Sequence, residues 1–99
     1  MVVIASPSSY APVRVEVDRG PRHKYVLVLR HRTTGRLRRV PFGGKYPNGT
    51  PYPQYRDRIG FYRSYDHGDR KRRLNYLSRH RGEAARLYSS GWASIHYLW

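Results

Sequence analysis

Apart from the opening MVVIA, the longest apolar run in this chain, residues 26–29 (VLVL), is four residues long, and the chain contains no cysteine. Together these facts bound what it can fold into. Four residues fall far short of the ~20 that a membrane-spanning helix needs. Without thiols, neither a disulfide framework nor a thiolate zinc site can staple the chain. Its 99 residues make one domain, or one small core with trailing arms, of small net stability. The start, MVVIASPSS, is too short and too uncharged for a signal peptide.

Strand patterns surround the apolar run. Residues 13–17 (VRVEV) alternate, which puts Val13, Val15 and Val17 on one face of a half-buried strand. A Gly-Pro turn signal follows in residues 18–22, and residues 25–32 (YVLVLRHR) form a second strand. After a turn at Thr33-Thr34-Gly35, residues 36–42 (RLRRVPF) return as a third, with Pro41 at an edge because proline cannot donate to a central ladder. Residues 43–63 carry four glycines and three prolines, too many for a long regular element. They form either a binding loop or an arm across another subunit, since long structureless loops within compact domains are uncommon.

Residues 66–81 (DHGDRKRRLNYLSRHR) are the best helix candidate, with Asp66 or Asp69 as cap and Leu74 and Leu77 as a narrow apolar stripe. Gly82 breaks or kinks it, and residues 83–89 offer a second short helix that stops at Ser90-Gly91. The final GWASIHYLW docks into a core or a partner. The expected fold is α+β: a small antiparallel three-stranded sheet, an extended loop or arm, and two short C-terminal helices. The organisation is an extended arm at 1–12, a β-meander at 13–42, a Gly/Pro/Tyr-rich loop or arm at 43–65, and a basic helical region at 66–99.

Charge is the second constraint. Twenty basic residues, 17 of them arginine, face six acidic ones for a net charge of +14. The excess is spread along the chain: ten basic and two acidic residues lie in 1–50, ten and four in 51–99. A compact domain so charged repels itself, so a counter-charge is expected in the working state. The guanidinium fork favours carboxylate or phosphate oxygens. Nucleic acid, an acidic protein surface and anionic lipid are therefore the candidate partners. Ten tyrosines and two tryptophans set the chain apart from disordered basic tails and suit interface cores. The sharpest feature is Arg70, Lys71, Arg72 and Arg73 with Arg79 and Arg81. On a helix these can follow an acidic surface or a phosphate backbone, or simply form a solvated face. The interface anchors expected are Tyr46, Tyr52, Tyr55, Phe61, Tyr62, Tyr76, Trp92 and Trp99.

Signals for chemistry are weak. His23, His31, His67, His80 and His96 include no pair at metal-ligand spacing. No elbow motif surrounds a serine, and Asp57, Asp66, Asp69 and Glu83 lie among so many arginines that ion pairing is the simpler role. Phe42-Gly43-Gly44-Lys45 is half of a phosphate loop without the terminal Lys-Ser/Thr, and is better taken as a turn after a strand. No helix-turn-helix, zinc-finger or RNP signature is present, so any nucleic-acid binding would be non-specific. No enzyme activity and no cofactor are expected.

Three segments, VPFGGK at residues 40–45, HGDRKRRLNYLSRHR at 67–81 and GWASIHYLW at 91–99, resemble a family of small basic proteins of nucleocytoplasmic large DNA viruses. The likeness covers roughly residues 38–99. By position, Phe42, Gly43 and Lys45 match the family's turn. His67, Asp69, Arg72, Tyr76, Arg79 and His80 match its helix, and Gly91, Trp92, Ser94, Leu98 and Trp99 its closing segment. The chain departs from the pattern in the proline-rich stretch after Lys45 and in stopping at Trp99. The resemblance implies a virion component produced in the host cell, and for a small non-enzymatic member a minor capsid (cement) protein gripping capsid proteins with acidic surfaces. A non-specific DNA-binding or DNA-condensing virion protein is the alternative.

Overall fold

The computed structural model describes residues 7–99; half of the expected arm, residues 1–6, lies outside them. Strands β1 (Tyr10–Val17), β2 (His23–His31) and β3 (Leu37–Gly44) form an antiparallel sheet in the order β1-β2-β3. The apolar run therefore lies in the central strand. A strand paired on both sides and covered on both faces has to be apolar throughout, and every residue from Tyr25 to Leu29 is buried. Pro12 and Pro41 fall in the edge strands β1 and β3, where a missing N–H can face solvent.

Both hairpin turns match their sequence signals. The Asp18 N–H donates to the Lys24 carbonyl at 2.8 Å while the Asp18 carboxylate accepts from the Gly20 N–H at 2.8 Å. Gly35, at φ +73°, donates to the His31 carbonyl at 2.9 Å. Strand β1 begins at Tyr10, inside the stretch expected to be an arm. Its valines do not share one face, contrary to the alternation. The register shifts between Pro12 and Arg14, so Val13 is a bulged, exposed residue. A bulge inserts one residue and resets the alternation beyond it, leaving Val15 opposite Leu27 and Val17 opposite Tyr25.

On one face of the sheet, Tyr25, Leu27, Leu29, Val40 and Phe42 make a core with Tyr62, Ala93 and Leu98. On the other, Glu16 stands beside Val26, and Arg14 and Arg39 beside Val28. The Glu16 carboxylate accepts from Arg39 Nη2 at 2.6 Å and from Arg14 Nε at 2.7 Å. These bonds hold its pKa below the usual carboxylate value, Arg39 contributing most. The long side chains cover the two valines with their stems and keep their charges in water.

The C-terminal region has two helices, the first close to where the sequence signals put it and the second displaced. Helix α1 runs Arg70–Ala84 and passes through Gly82; no neighbour crowds that glycine, and one exposed glycine costs a helix only about 1 kcal/mol. Asp69 is its cap, accepting from the N–H groups of Lys71 at 2.9 Å and Arg72 at 3.3 Å. The second helix, α2, is Ser90–Leu98 rather than residues 83–89. Ser89 caps it by accepting from the Trp92 N–H at 3.0 Å, so the residues expected to stop one helix start another. Gly91 is required for close packing: a Cβ there would lie 2.6–2.8 Å from the Glu83 side chain of α1. The Leu74–Leu77 stripe is also overturned. Leu74 is 63% exposed and α1 has no buried residue. The helix instead packs through Tyr76, whose ring lies 4.0 Å from Trp99 and 4.2 Å from His80, stacked on both.

Candidate anion-binding groove

The site is built on the irregular stretch between β3 and α1, which folds back over the chain's own sheet. The Phe42–Lys45 segment is not a turn, since β3 runs on to Gly44 and Lys45 pairs with Pro51 in an isolated bridge. Between them the Tyr46 N–H donates to the Thr50 carbonyl at 2.7 Å, the Gly49 N–H donates to the Tyr46 carbonyl at 2.8 Å, and Gly49 adopts φ +87°. The Lys45 ammonium donates to the carbonyls of Gly20 at 2.7 Å and Asp18 at 3.3 Å, so it braces the loop and is not free for a phosphate.

Beneath this loop lies a buried polar network that the sequence did not suggest. Lys24 is 2% exposed, Gln54 0% and Asp57 6%. Lys24 Nζ donates to the Tyr52 carbonyl at 2.6 Å and to Gln54 Oε1 at 2.5 Å. Gln54 Nε2 donates to the Tyr62 carbonyl at 2.9 Å and to Asp66 Oδ1 at 2.7 Å. Asp66 Oδ1 also accepts from the Asp57 N–H at 2.8 Å. Asp57 Oδ2 accepts from the Tyr25 hydroxyl and, at 2.9 Å, from the Tyr62 N–H; Oδ1 accepts from the N–H groups of Ile59 at 2.8 Å and Gly60 at 3.0 Å. Such groups could not be left unpaired at this depth. The available signal was Lys24 itself, a charge abutting the most apolar strand.

Burial pushes the Lys24 ammonium down to about 8, against the opposing pull of Asp57 and Asp66. The folded chain therefore favours neutral lysine, and the unfolded chain binds more protons between pH 8 and about 10.4, so stability rises with pH across that window. The Tyr25 hydroxyl is raised by burial and by its bond to Asp57, which works in the opposite sense from about pH 10 upward. The urea midpoint is expected to climb from pH 8 to about 10 and then fall, whereas Lys24→Met should be flat over the rising part. A midpoint that declines steadily from pH 8 in the unmodified chain would contradict this assignment.

Between the loop and α1 an open groove of about 570 Å³ has Lys24 in its wall, Arg72, Asn75 and Arg79 on its helical side, and Tyr46 and Tyr52 on its loop side. Tyr76, Ser94 and Trp99 line it too, and no acidic side chain does. Arg72 and Arg79 are seven residues apart, about two turns and ~10 Å along one side of the helix. Ser94 Oγ accepts from the Gly43 N–H at 3.3 Å. Burial raises the Tyr76 hydroxyl, which stays protonated as a donor.

The expected basic residues do not converge on one surface. Arg72 and Arg79 line the groove, while Arg70 and Arg81 share the outer side of α1 with Lys71 beside them, all exposed. Arg73 is taken up internally, its Nε donating to the Trp99 carbonyl at 2.8 Å and its guanidinium lying 5.3 Å from the Tyr55 ring centre. The expected anchors also divide. Tyr46, Tyr52 and Phe61 are exposed, Phe61 beneath Arg19. Tyr62 is a core residue and cannot anchor another molecule. Tyr55, Tyr76, Trp92 and Trp99 are half-buried against the chain's own rings, Trp92 stacked 4.1 Å from His96.

The carboxylates are not paired with the surrounding arginines as expected. Asp57 and Asp66 serve the buried network, Asp69 caps α1, and Glu83 meets His80 Nδ1 at 2.7 Å. His67 Nδ1 accepts from the Asp69 N–H at 2.9 Å, while its Nε2 is buried without a hydrogen-bond partner, 5.3 Å separating its ring centre from that of Trp99. Burial, aided by Arg72, lowers its pKa and keeps it neutral. Among the described residues no group of three or more His, Asp or Glu side chains could hold a metal ion, and no helix is long and apolar enough to cross a membrane. Chemically, the groove presents two guanidinium groups, those of Arg72 and Arg79, to an anion. Comparison with protein-family models, curated proteins and solved structures finds no match for the chain.

Proposed function

We propose that this chain is a non-enzymatic structural component of a virion, a minor capsid protein that grips acidic faces of neighbouring capsid proteins through arginines and exposed aromatic rings. One observation carries the reading. Of the 17 arginines, only Arg14 and Arg39 contact a side-chain carboxylate among the described residues, and they share the same one, Glu16. The other acidic groups are occupied by turns, a cap, a histidine and the buried network, so the positive charge has no internal answer. A partner rich in carboxylates would supply it through charge-assisted bonds and fix orientation by complementarity. The exposed Phe61 and Tyr65 add the kind of amphipathic area that interface centres use. The virion setting comes from the resemblance of residues 38–99.

The test is fractionation of purified particles of the virus that encodes the chain. The protein is expected to remain with the shell after nuclease digestion and to leave it in roughly molar salt, where exposed ion pairs are screened over ~3 Å. Release by nuclease alone would point to the DNA-binding role instead. Absence from the particles would overturn the assignment.

A further inference from the structure

We infer that the groove between residues 43–53 and α1 is a binding site for single-stranded nucleic acid, with Arg72 and Arg79 facing phosphates and Tyr46 and Tyr52 offering their rings to bases. The inference goes beyond the capsid reading and does not depend on it.

Its chemistry divides by side. The helical wall supplies the two exposed guanidinium groups of Arg72 and Arg79, while the buried ammonium of Lys24 stays bonded to Tyr52 and Gln54 behind the wall. No acidic side chain lines the groove to pair with those two groups. Opposite stand two tyrosines, 44% and 42% exposed, with ring centres 4.3 Å apart and their planes inclined at 62°. A cationic track facing aromatic rings is how single strands are held without sequence preference, because every base has a π-face. A duplex keeps its bases stacked and has no free face to offer these rings. An acidic peptide would satisfy the arginines but leave the rings unused.

The aromatic side is prearranged. Tyr52 is fixed by its N–H to the Gly44 carbonyl at 3.1 Å and by its own carbonyl to Lys24. Its ring lies so close over Gly44 that a Cβ there would be 2.5 Å away. A loop already ordered in the free protein gives up little entropy on binding.

The experiment is fluorescence anisotropy of the full chain with a labelled strand of about ten thymidines. Duplex DNA and a poly-glutamate peptide of matched charge serve as competitors. Arg72→Gln with Arg79→Gln is expected to weaken binding about tenfold or more, against less than about threefold for Arg70→Gln with Arg81→Gln, which removes the same charge from the outer side of α1. Tyr46→Leu, at the exposed loop tip, should cost about three- to tenfold. All variants are first matched to the parent by urea midpoint. Equal losses from the two arginine pairs, an unchanged affinity for Tyr46→Leu, or competition by poly-glutamate as strong as by unlabelled strand would each overturn the site. These outcomes are independent of where the protein sits in a particle.

Discussion

Asp57→Ala is expected to destabilise the chain by about 3 kcal/mol, because it leaves the buried Tyr25 hydroxyl without an acceptor and the Tyr62 N–H with only its 3.3 Å bond to that hydroxyl, an unsatisfied buried group costing ~1–3 kcal/mol. It also removes the acceptor of the Ile59 and Gly60 N–H groups, which shapes the loop, and it withdraws the negative charge that acts most strongly on Lys24. For a domain of this size such a loss is a large share of the total, since stabilities of ~5–15 kcal/mol are usual and small chains sit low in that range. Tyr25→Phe offers the comparison. It removes one donor while the carboxylate keeps its backbone bonds, and should cost only about 1 kcal/mol. Urea unfolding of the two variants measures both. A loss below ~1 kcal/mol for Asp57→Ala would mean that the network is not what holds the loop to the sheet.

The second large effect is expected at Trp99. Helix α1 buries no residue of its own, so its attachment depends on what its side chains reach. Tyr76 lies parallel to the Trp99 ring within 3°, and Arg73 bonds the Trp99 carbonyl. Trp99→Ala removes the ring from the Tyr76 stack and uncovers His67, at a cost of about 3 kcal/mol, the low end for a tryptophan truncation because the ring is only half-buried. The loss should be local. Amide exchange in α1 is expected to speed up by about thirtyfold or more, with a smaller change in β2, as for a unit that opens before the rest. A uniform change across both elements would show that α1 and the sheet unfold together.

These two sites mark how far the sequence could be followed. The sheet was legible because strand alternation and turn residues are local: Gly35 and the Gly-Pro pair announced the hairpins, and Pro41 marked an edge strand. Where alternation failed, at Val13, the cause was a bulge, which adds a residue without any compositional sign. Helix α1 was legible in its cap, Asp69, and illegible in its contacts, because its packing rings meet Trp99, more than twenty residues away. The start of α2 was misjudged because serine and glycine punctuate both ends of helices; only the approach of Gly91 to Glu83 reveals which end is meant.

The groove was partly visible. Arg72, Arg79, Tyr46 and Tyr52 were all singled out, but as members of longer sets. Nothing in their spacing distinguished them from Arg73, which is used internally, or from Tyr62, which is buried. Lys24, Gln54, Asp57 and Asp66 come together only once the loop has folded, so no local pattern could have joined them.

The inward use of the acidic side chains also governs how copies of the protein meet. Two molecules approaching one another present cation to cation, with few anions free on either surface to bridge them, so at low ionic strength they repel. Crowded onto a single polyanion they would sit at intervals rather than in clusters. The number bound would then follow the charge of the support more closely than any contact between neighbours.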